Sequence, residues 1–345
     1  MNAHAFITGV SGTEITPQER AFLREALPWG LIVFKRNVDT PAQLRRLVEE
    51  FRSAVGRQAP VLVDQEGGRV QRLGPPHWPA YPAGAVYRTL YENDAATGLA
   101  AARLGARLIA HDLKEVGIDV DCLPLADVPM TGADPVIGDR AYGDTPEQVA
   151  ALAGAVAAGL LEGGVLPVLK HLPGHGRATA DSHHRLPVVD ADRATLEATD
   201  FAAFRPLADL PLGMTAHVVF SAYDPLAPAT TSVTMVAQVI RDSIGFGGLL
   251  MSDDVSMGAL SGSLAERTRA ALAAGCDLVL HCNGKLDEMQ AVAAEAPPLA
   301  GAAAARAEAA LAQRHEPRAL DVAEARKTFA ALLAGDRQTT ARMAS

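Results

Sequence analysis

Short apolar runs rich in β-branched residues recur along the whole chain, separated by longer amphipathic segments. Each run spans three to six residues and ends at polar or turn residues, which is the pattern of a buried strand. The fourth run is the weakest because it contains Asp121 and Pro124. Eight such runs predict eight strands, over residues 5–10, 31–34, 61–63, 120–125, 165–169, 213–218, 249–251 and 278–280.

Three of the amphipathic segments begin with the same signal, a threonine followed by a proline. Thr16, Thr40 and Thr145 can each cap a helix, and the proline after each can occupy the first helical position. The last ten residues are expected to be frayed. Further helices are predicted over residues 95–116, 193–210, 233–244, 263–274, 300–313 and 321–333.

The regular alternation of strands and helices predicts an α/β protein with parallel strands and helical crossovers. Eight strands are the number that closes a (β/α)8 TIM-type barrel, and 345 residues fit one such domain with insertions. A doubly wound open sheet is less favoured because no GxGxxG sequence opens the first helix. We expect a single catalytic domain over 1–345, with the barrel core in 1–284 and extra C-terminal helices in 285–345 packing outside the barrel.

Composition narrows the possible partners and the compartment. The net charge of −9 argues against a nucleic-acid-binding surface, although local basic residues could hold an anionic group. The first residues lack the basic and apolar regions of a secretory signal, and no apolar run reaches the eighteen residues of a membrane span. Three sparse cysteines fit a reducing cytosol. These features predict a soluble cytoplasmic protein. Independently of composition, we expect a monomer or weak homo-oligomer that acts on a small molecule.

Polar residues directly follow several of the predicted strands, where a barrel carries its functional groups. The blocks lie at 64–72 after the third strand, 170–184 after the fifth and 252–257 after the seventh, and His217 and His281 follow the sixth and eighth. An insert over 127–143 can bring Arg140 back over the mouth of the barrel. Buried polar groups are costly unless they are paired or used, so their recurrence indicates an active site.

The block after the fifth strand holds four histidines, a lysine and an aspartate on what is expected to be a loop. A solvated loop is one interpretation. A metal site is another, because His171 and His175 are four residues apart, but Pro173 and Gly174 between them argue against the helix that this spacing requires. Acid–base chemistry is the third: if Asp181 accepts a hydrogen bond from His183, the other ring nitrogen can exchange a proton with substrate.

The seventh strand ends in two adjacent carboxylates, Asp253 and Asp254. Neighbouring residues of a strand point to opposite sides, so only one is expected to face the barrel axis, and Asp254 could be a turn or helix-capping residue. An inward carboxylate facing a His/Asp dyad suggests cleavage at an electrophilic carbon. Attack by aspartate on the anomeric carbon of a sugar, with His183 protonating the leaving oxygen, fits this pairing.

Three blocks together, at 64–72, 170–183 and 248–254, resemble the bacterial β-N-acetylglucosaminidases of glycoside hydrolase family 3 in their short single-domain form. The resemblance covers nearly the whole barrel and is without departure at the matched catalytic positions. It implies that Asp253 is the nucleophile, that His183 is the acid/base and that Asp181 assists it. It also implies a sugar subsite lined by Asp64, Arg72, Arg140, Lys170 and His171.

The resemblance further implies a retaining exo-enzyme of the β-N-acetylhexosaminidase class that needs no metal or organic cofactor. Short family members are cytoplasmic and release terminal N-acetylglucosamine from anhydromuramic-acid-linked fragments in cell-wall recycling. Three alternatives stay open. The same site could serve a phosphorylase, because a neutral histidine repels phosphate less than a carboxylate would. A metal-dependent hydrolase could use the histidine cluster, and a sugar-binding module would carry out no chemistry.

Overall fold

The computed structural model describes residues 2–335 and forms a closed barrel of eight parallel strands. Each strand pairs with the strands before and after it in the chain, and the first pairs with the last. The eight-stranded barrel predicted from the sequence is therefore confirmed. The strands are β1 His4–Thr8, β2 Pro28–Val33, β3 Val61–Val63, β4 Val120–Asp121, β5 Leu166–Leu172, β6 Leu212–Thr215, β7 Leu249–Asp254 and β8 Leu278–His281.

Helices follow the strands and surround the barrel. The three threonine caps form as expected, each side chain accepting a hydrogen bond from the backbone three residues on. The segment Met235–Ser243 after β6 winds as a π-helix. The α-helices are α1 Pro17–Ala26, α2 Pro41–Val55, α3 Gly84–Asn93, α4 Ala95–Lys114, α5 Pro146–Glu162, α6 Arg193–Ala198, α7 Leu264–Ala274, α8 Leu286–Glu295, α9 Gly301–Ala312 and α10 Val322–Leu333.

One predicted helix is shorter than expected. The pattern over 193–210 predicts one continuous helix, but α6 ends at Ala198 and a separate 3-10 turn covers Arg205–Leu207. Asp200 lies between them, buried, and accepts two hydrogen bonds from Arg177 of the loop after β5. The helix thus ends before Asp200, and the Asp200–Arg177 ion pair holds the loop that carries the histidines.

Alternating strand residues divide the core into two apolar clusters. Ile7, Ile32 and Leu62 belong to the cluster inside the barrel, whereas their strand neighbours pack outward against the helices. This division follows from the two-residue period of a strand. It leaves the polar side chains at the strands' carboxyl ends to line the mouth.

The helices after residue 284 contact the barrel in two different places. Ala307 and Ala310 of α9 join the cluster inside the barrel, and Arg306 of α9 pairs with Asp277 just before β8. This helix therefore covers the amino-terminal end of the barrel. Phe329 of α10 packs in the outer cluster against α4. The division of the chain at residue 284 stays a prediction, and the expected fraying of the last ten residues lies outside the described part.

Two small strand pairs and the thiols complete the fold. A hairpin of Gln65–Gly67 with Val70–Gln71 follows β3, and Val188–Val189 pairs with Val219–Phe220. All three cysteines are buried and free. Over residues 2–335, none of the helices combines the length and apolar character needed to cross a membrane.

Candidate active site

A cavity of about 510 Å³ opens at the carboxyl ends of the barrel strands. The segments after β3, β4, β5 and β7 all contribute to its walls, so residues far apart in sequence meet there. Every site residue predicted from the sequence lines this cavity: Asp64, Arg72, Arg140, Lys170, His171, Asp181, His183 and Asp253.

Lys170 and His171 lie on strand β5, which corrects the expectation that they belong to a loop. The strand continues to Leu172, which is in register with Thr215 of β6. Lys170 is only 2% exposed, and its ammonium group lies between two carboxylates, 3.1 Å from Asp64 and 2.7 Å from Glu66. Because these partners satisfy the charge, the strand can carry a lysine into the barrel mouth.

Asp64 links the lysine to an arginine at the cavity wall. Its Oδ2 accepts a hydrogen bond of 3.1 Å from Arg72, whose guanidinium lies over the ring of Phe34 at 4.9 Å. Burial alone would raise the pKa of Asp64, but Lys170 and Arg72 hold it well below its ordinary value. Asp64 is therefore an ionised acceptor, with its two oxygens oriented by two cations.

Glu66 is a functional-site residue that the sequence analysis did not single out. Its two oxygens accept hydrogen bonds of 2.8 Å from Nε and Nη2 of Arg140, and Oε1 also contacts Lys170. Although burial opposes its charge, Lys170 and Arg140 lower the pKa of Glu66 to about 2. The signal available was its place in the polar block after β3, two residues beyond Asp64.

Arg140 reaches the cavity on the insert after β4, as expected. It ends a short 3-10 turn, Gly138–Arg140, and also donates to the carbonyl of Val136. The insert is held across the mouth by Arg69, which pairs with Asp139 at 3.0 Å. Glu66 and these contacts bring a distant arginine to the same floor as Lys170.

His171 has a buried partner that the sequence analysis also missed. Asp127, which is fully buried after β4, approaches Nδ1 of His171 to 2.7 Å and accepts a 2.6 Å hydrogen bond from the backbone of His175. Burial alone would raise the pKa of Asp127, but His171 lowers it to about 2. The ionised carboxylate thus accepts the Nδ1 proton and leaves Nε2 as the edge of the ring facing a ligand.

Asp253 ends β7 inside the cavity. Burial alone would raise its pKa, but the neighbouring His217 and His171 hold it below the ordinary value, so the carboxylate is ionised and able to act as a nucleophile. Asp254 has a different role, because its oxygens accept hydrogen bonds from the backbone and hydroxyl of Ser256 and from the backbone of Cys282. It is a turn residue, as one of the two sequence interpretations expected.

Asp181 and His183 form the predicted dyad on the loop after β5. Oδ1 of Asp181 lies 2.7 Å from Nδ1 of His183 and accepts a 2.9 Å hydrogen bond from its backbone. Burial slightly opposes ionisation, but the His183 backbone and ring hold the pKa of Asp181 below its ordinary value. The ionised aspartate therefore fixes the proton on Nδ1 and directs Nε2 to proton exchange.

The histidines after β6 and β8 occupy other surroundings. His217 is fully buried, with Nδ1 2.7 Å from the hydroxyl of Thr230 and Nε2 3.0 Å from the carbonyl of Asp254, so it supports the turn beside Asp253. His281 instead approaches Glu288 of α8 at 3.2 Å and does not line the cavity. Of the five strands followed by polar residues, three thus contribute charged side chains to the cavity lining, and His217 and His281 after the other two make structural contacts.

The rings of His171 and His175, the pair considered for a metal, lie 5.8 Å apart and tilted by 64°. Each ring has a different side-chain partner, Asp127 for His171 and Ser182 for His175. Within residues 2–335, no group of three or more His, Cys, Asp or Glu side chains is arranged to hold a metal ion.

An ionised carboxylate and a histidine–aspartate dyad share one barrel mouth, an arrangement consistent with a hydrolase of glycosides. The family model described as "Glycosyl hydrolase family 3 N terminal domain" matches residues 7–311, and the chain belongs to that family. The family and the β-N-acetylhexosaminidase class predicted from the sequence are confirmed by this match and by the relatives.

Relatives and solved structures agree with this placement. A protein named beta-hexosaminidase from Alkalilimnicola ehrlichii is 41% identical over 80% of this chain and 79% of its own length. Native NagZ from Neisseria gonorrhoeae superposes with a TM-score of 0.83 at 31% identity, covering 99% of this chain and 98% of that one. A family 3 beta-N-acetylglucosaminidase from Paenibacillus sp. FPU-7 has a TM-score of 0.78 at 29% identity, and this chain covers only 61% of it.

Proposed function

We propose that this glycoside hydrolase is a retaining exo-β-N-acetylglucosaminidase that releases terminal N-acetylglucosamine from peptidoglycan fragments. Its substrate is N-acetylglucosaminyl-1,6-anhydro-N-acetylmuramic acid, with or without peptide. The observation that carries the proposal is the common cavity of Asp253, the Asp181–His183 dyad and the five sugar-site residues. The three buried free thiols support a reducing cytoplasmic location.

The reaction proceeds in two displacements. Asp253 attacks the anomeric carbon while Nε2–H of His183 protonates the departing glycosidic oxygen, which yields a covalent glycosyl-enzyme and the free aglycone. His183, now neutral at Nε2, then takes a proton from water. The water oxygen attacks the same carbon and releases Asp253, so the product keeps the β configuration.

The remaining side chains bind the sugar. The ionised Asp64 accepts hydrogen bonds from sugar hydroxyls through oxygens that Lys170 and Arg72 orient. Arg140 and Lys170 donate to hydroxyls or to the N-acetyl carbonyl, and Nε2 of His171 accepts a hydrogen bond from a hydroxyl. Since Glu66 and Asp127 hold these three side chains in place, the subsite is preorganised and spends little binding energy on rearrangement.

The test is the variant Asp253→Asn, assayed with an aryl β-N-acetylglucosaminide. We expect kcat to fall by at least roughly 10⁴-fold while the circular dichroism spectrum is unchanged. Asp254→Asn is the matched control, because it alters the adjacent carboxylate, whose bonds serve the turn. Near-normal turnover by the Asp253 variant would end the assignment.

Product analysis on a purified wall fragment tests the substrate and the acceptor. Free N-acetylglucosamine of β configuration, together with the anhydromuramic product, is expected. Because a neutral histidine repels phosphate less than a carboxylate would, the assay is repeated in saturating phosphate; formation of sugar phosphate would identify a phosphorylase instead. Full activity after exhaustive chelation would dispose of the metal-dependent alternative.

A further inference from the structure

In the loop that carries the dyad, His183 and His184 face solvent and Ser182 faces the protein interior. The side chains of His183 and His184 are 61% and 83% exposed, whereas Ser182, between the two members of the dyad, is 3% exposed. Its hydroxyl lies 2.9 Å from Nε2 of His175, which is also 3% exposed. The chain therefore alternates a catalytic side chain turned outward with a serine turned into the protein.

We infer that the buried hydrogen bond between Ser182 and His175 positions the Asp181–His183 dyad for proton transfer. Ser182 and His175 are thus positioning residues, acting through His183 rather than on the substrate. The inference rests on the proposed role of His183 as the acid/base. It adds to that role the side-chain contact that fastens the loop to the barrel.

His175 is a suitable anchor because it is fixed from the barrel side. Its backbone N–H donates to Asp127, whose other oxygen lies against His171 on β5. The next residue, Gly176, approaches the carbonyl of Val128 so closely that a Cβ would lie 2.0 Å from its oxygen. Movement of His175 would therefore disturb two neighbouring segments.

The chemistry of the His175 ring suits this contact. Burial lowers its pKa to about 4, so the imidazole is neutral near pH 7 and can exchange one hydrogen bond with a hydroxyl. Within residues 2–335, its Nδ1 is buried and makes no hydrogen bond. Ser182 is then the only polar side chain that the ring hydrogen-bonds in the described structure, and its removal leaves a second buried nitrogen unsatisfied.

Backbone contacts hold the same loop on its other side. The N–H groups of Ala259 and Gly258 donate to the carbonyls of Ser182 and His183, each at 3.1 Å. Without the serine hydroxyl these two bonds persist, so the loop is expected to stay folded but to lose its fixed distance from the cavity floor. The deficit should therefore appear in proton transfer as well as in stability.

The dependence of kcat/KM on the leaving group separates a loss of proton transfer from a general loss of stability. A strongly acidic phenol departs without protonation, whereas a sugar alcohol requires the acid. We expect Ser182→Ala to lower kcat/KM by about tenfold for a disaccharide or alkyl β-N-acetylglucosaminide, and by at most about twofold for a dinitrophenyl one. Ser182→Thr retains a hydroxyl and should restore much of the loss, and His175→Asn should reproduce the slope of Ser182→Ala.

Ser232→Ala is the matched control. Ser232 is equally buried, its hydroxyl bonds Asp224 at 2.5 Å, and it lies outside the cavity. That variant should lose stability while its leaving-group dependence stays that of the wild type. A uniform loss across leaving groups in Ser182→Ala, or none for any of them, would overturn the inference. If the wild type fails to cleave any β-N-acetylglucosaminide, the proposed function itself has failed.

Discussion

Glu66 is a buried carboxylate on which two sugar-site cations depend, and replacing it with glutamine tests that dependence. The side chain is 5% exposed, lies 2.7 Å from Lys170 and accepts both hydrogen bonds of the Arg140 fork. Glutamine keeps the shape but removes the charge, and its amide NH₂ faces a donor. Lys170 then retains one carboxylate partner, Asp64, at 3.1 Å.

The expected cost follows from the pKa of Glu66. A pKa lowered from 4.5 to about 2 corresponds to roughly 3–4 kcal/mol of stability. Breaking a buried ion pair by removal of one partner costs roughly 3–5 kcal/mol, which agrees. With an unfolding entropy of about 2.1 cal/mol/K per residue, 345 residues give about 0.7 kcal/mol/K, so Tm should fall by about 4–7 °C.

The effect should depend on pH with a definite sign. The pKa of Glu66 is lower in the folded than in the unfolded protein, so its stabilisation is fully present above about pH 4.5. It is lost as the pH falls from 4.5 towards 2, where the folded state also takes up the proton. The difference in Tm between wild type and Glu66→Gln should therefore shrink over this range.

Thermal denaturation and steady-state kinetics measure both consequences. Besides the lower Tm, KM for an aryl β-N-acetylglucosaminide should rise more than kcat falls, because the displaced cations are proposed to bind the sugar rather than to react. Glu92→Gln is the control: Glu92 is 49% exposed and pairs with Arg88 at 3.4 Å, so its loss should change stability by less than about 1 kcal/mol. A Glu66 variant indistinguishable from the control would refute the reasoning.

Two further changes test packing away from the site. Phe329→Ala should lower the free energy of unfolding by about 3–5 kcal/mol, because this ring of α10 is 8% exposed and lies 6.5 Å from the ring of Tyr87. An unchanged Tm would mean that α10 does not pack there. Gly159→Ala should destabilise by about 1–3 kcal/mol, since the new Cβ would lie 2.1 Å from the carbonyl oxygen of Arg103. In the same helix, a Cβ added at Gly154 would lie 3.5 Å from its nearest atom, so Gly154→Ala should be neutral or stabilising. Equal effects of the two glycine variants would contradict the close contact between α4 and α5.

The barrel was predictable because each strand has a pattern of apolar residues that can be recognised without knowing the rest of the fold. Residues such as Val61–Val63 and Leu278–His281 are buried on both faces, so they read as short continuous apolar runs. Strand β5 exceeded its predicted end because Lys170 and His171 break that run while remaining in the ladder. Both side chains pair with carboxylates that follow other strands. The sequence around Lys170 and His171 does not indicate these partners.

The same reason separates the site residues that were found from those that were missed. Asp181 and His183 are two positions apart, so their pairing could be proposed from spacing alone. Glu66 and Arg140 are 74 positions apart, and Asp127 and His171 are 44 apart. Their partnership follows only once the barrel closes, and no sequence spacing distinguishes them from surface carboxylates.

The charges around the cavity floor bear on which acceptor completes the reaction. With the histidines neutral, the charged side chains that line the cavity sum to −1 while Asp253 is ionised: there are four cations, Arg69, Arg72, Arg140 and Lys170, and five carboxylates, Asp64, Glu66, Asp181, Asp253 and Asp254. In the proposed glycosyl-enzyme Asp253 is an ester, and the sum rises to zero. The lining then has no net positive charge, so it gives phosphate no electrostatic advantage over water as the acceptor. Formation of a sugar phosphate in saturating phosphate would thus mean that a local contact beside His183, and not the net charge of the cavity, selects the acceptor.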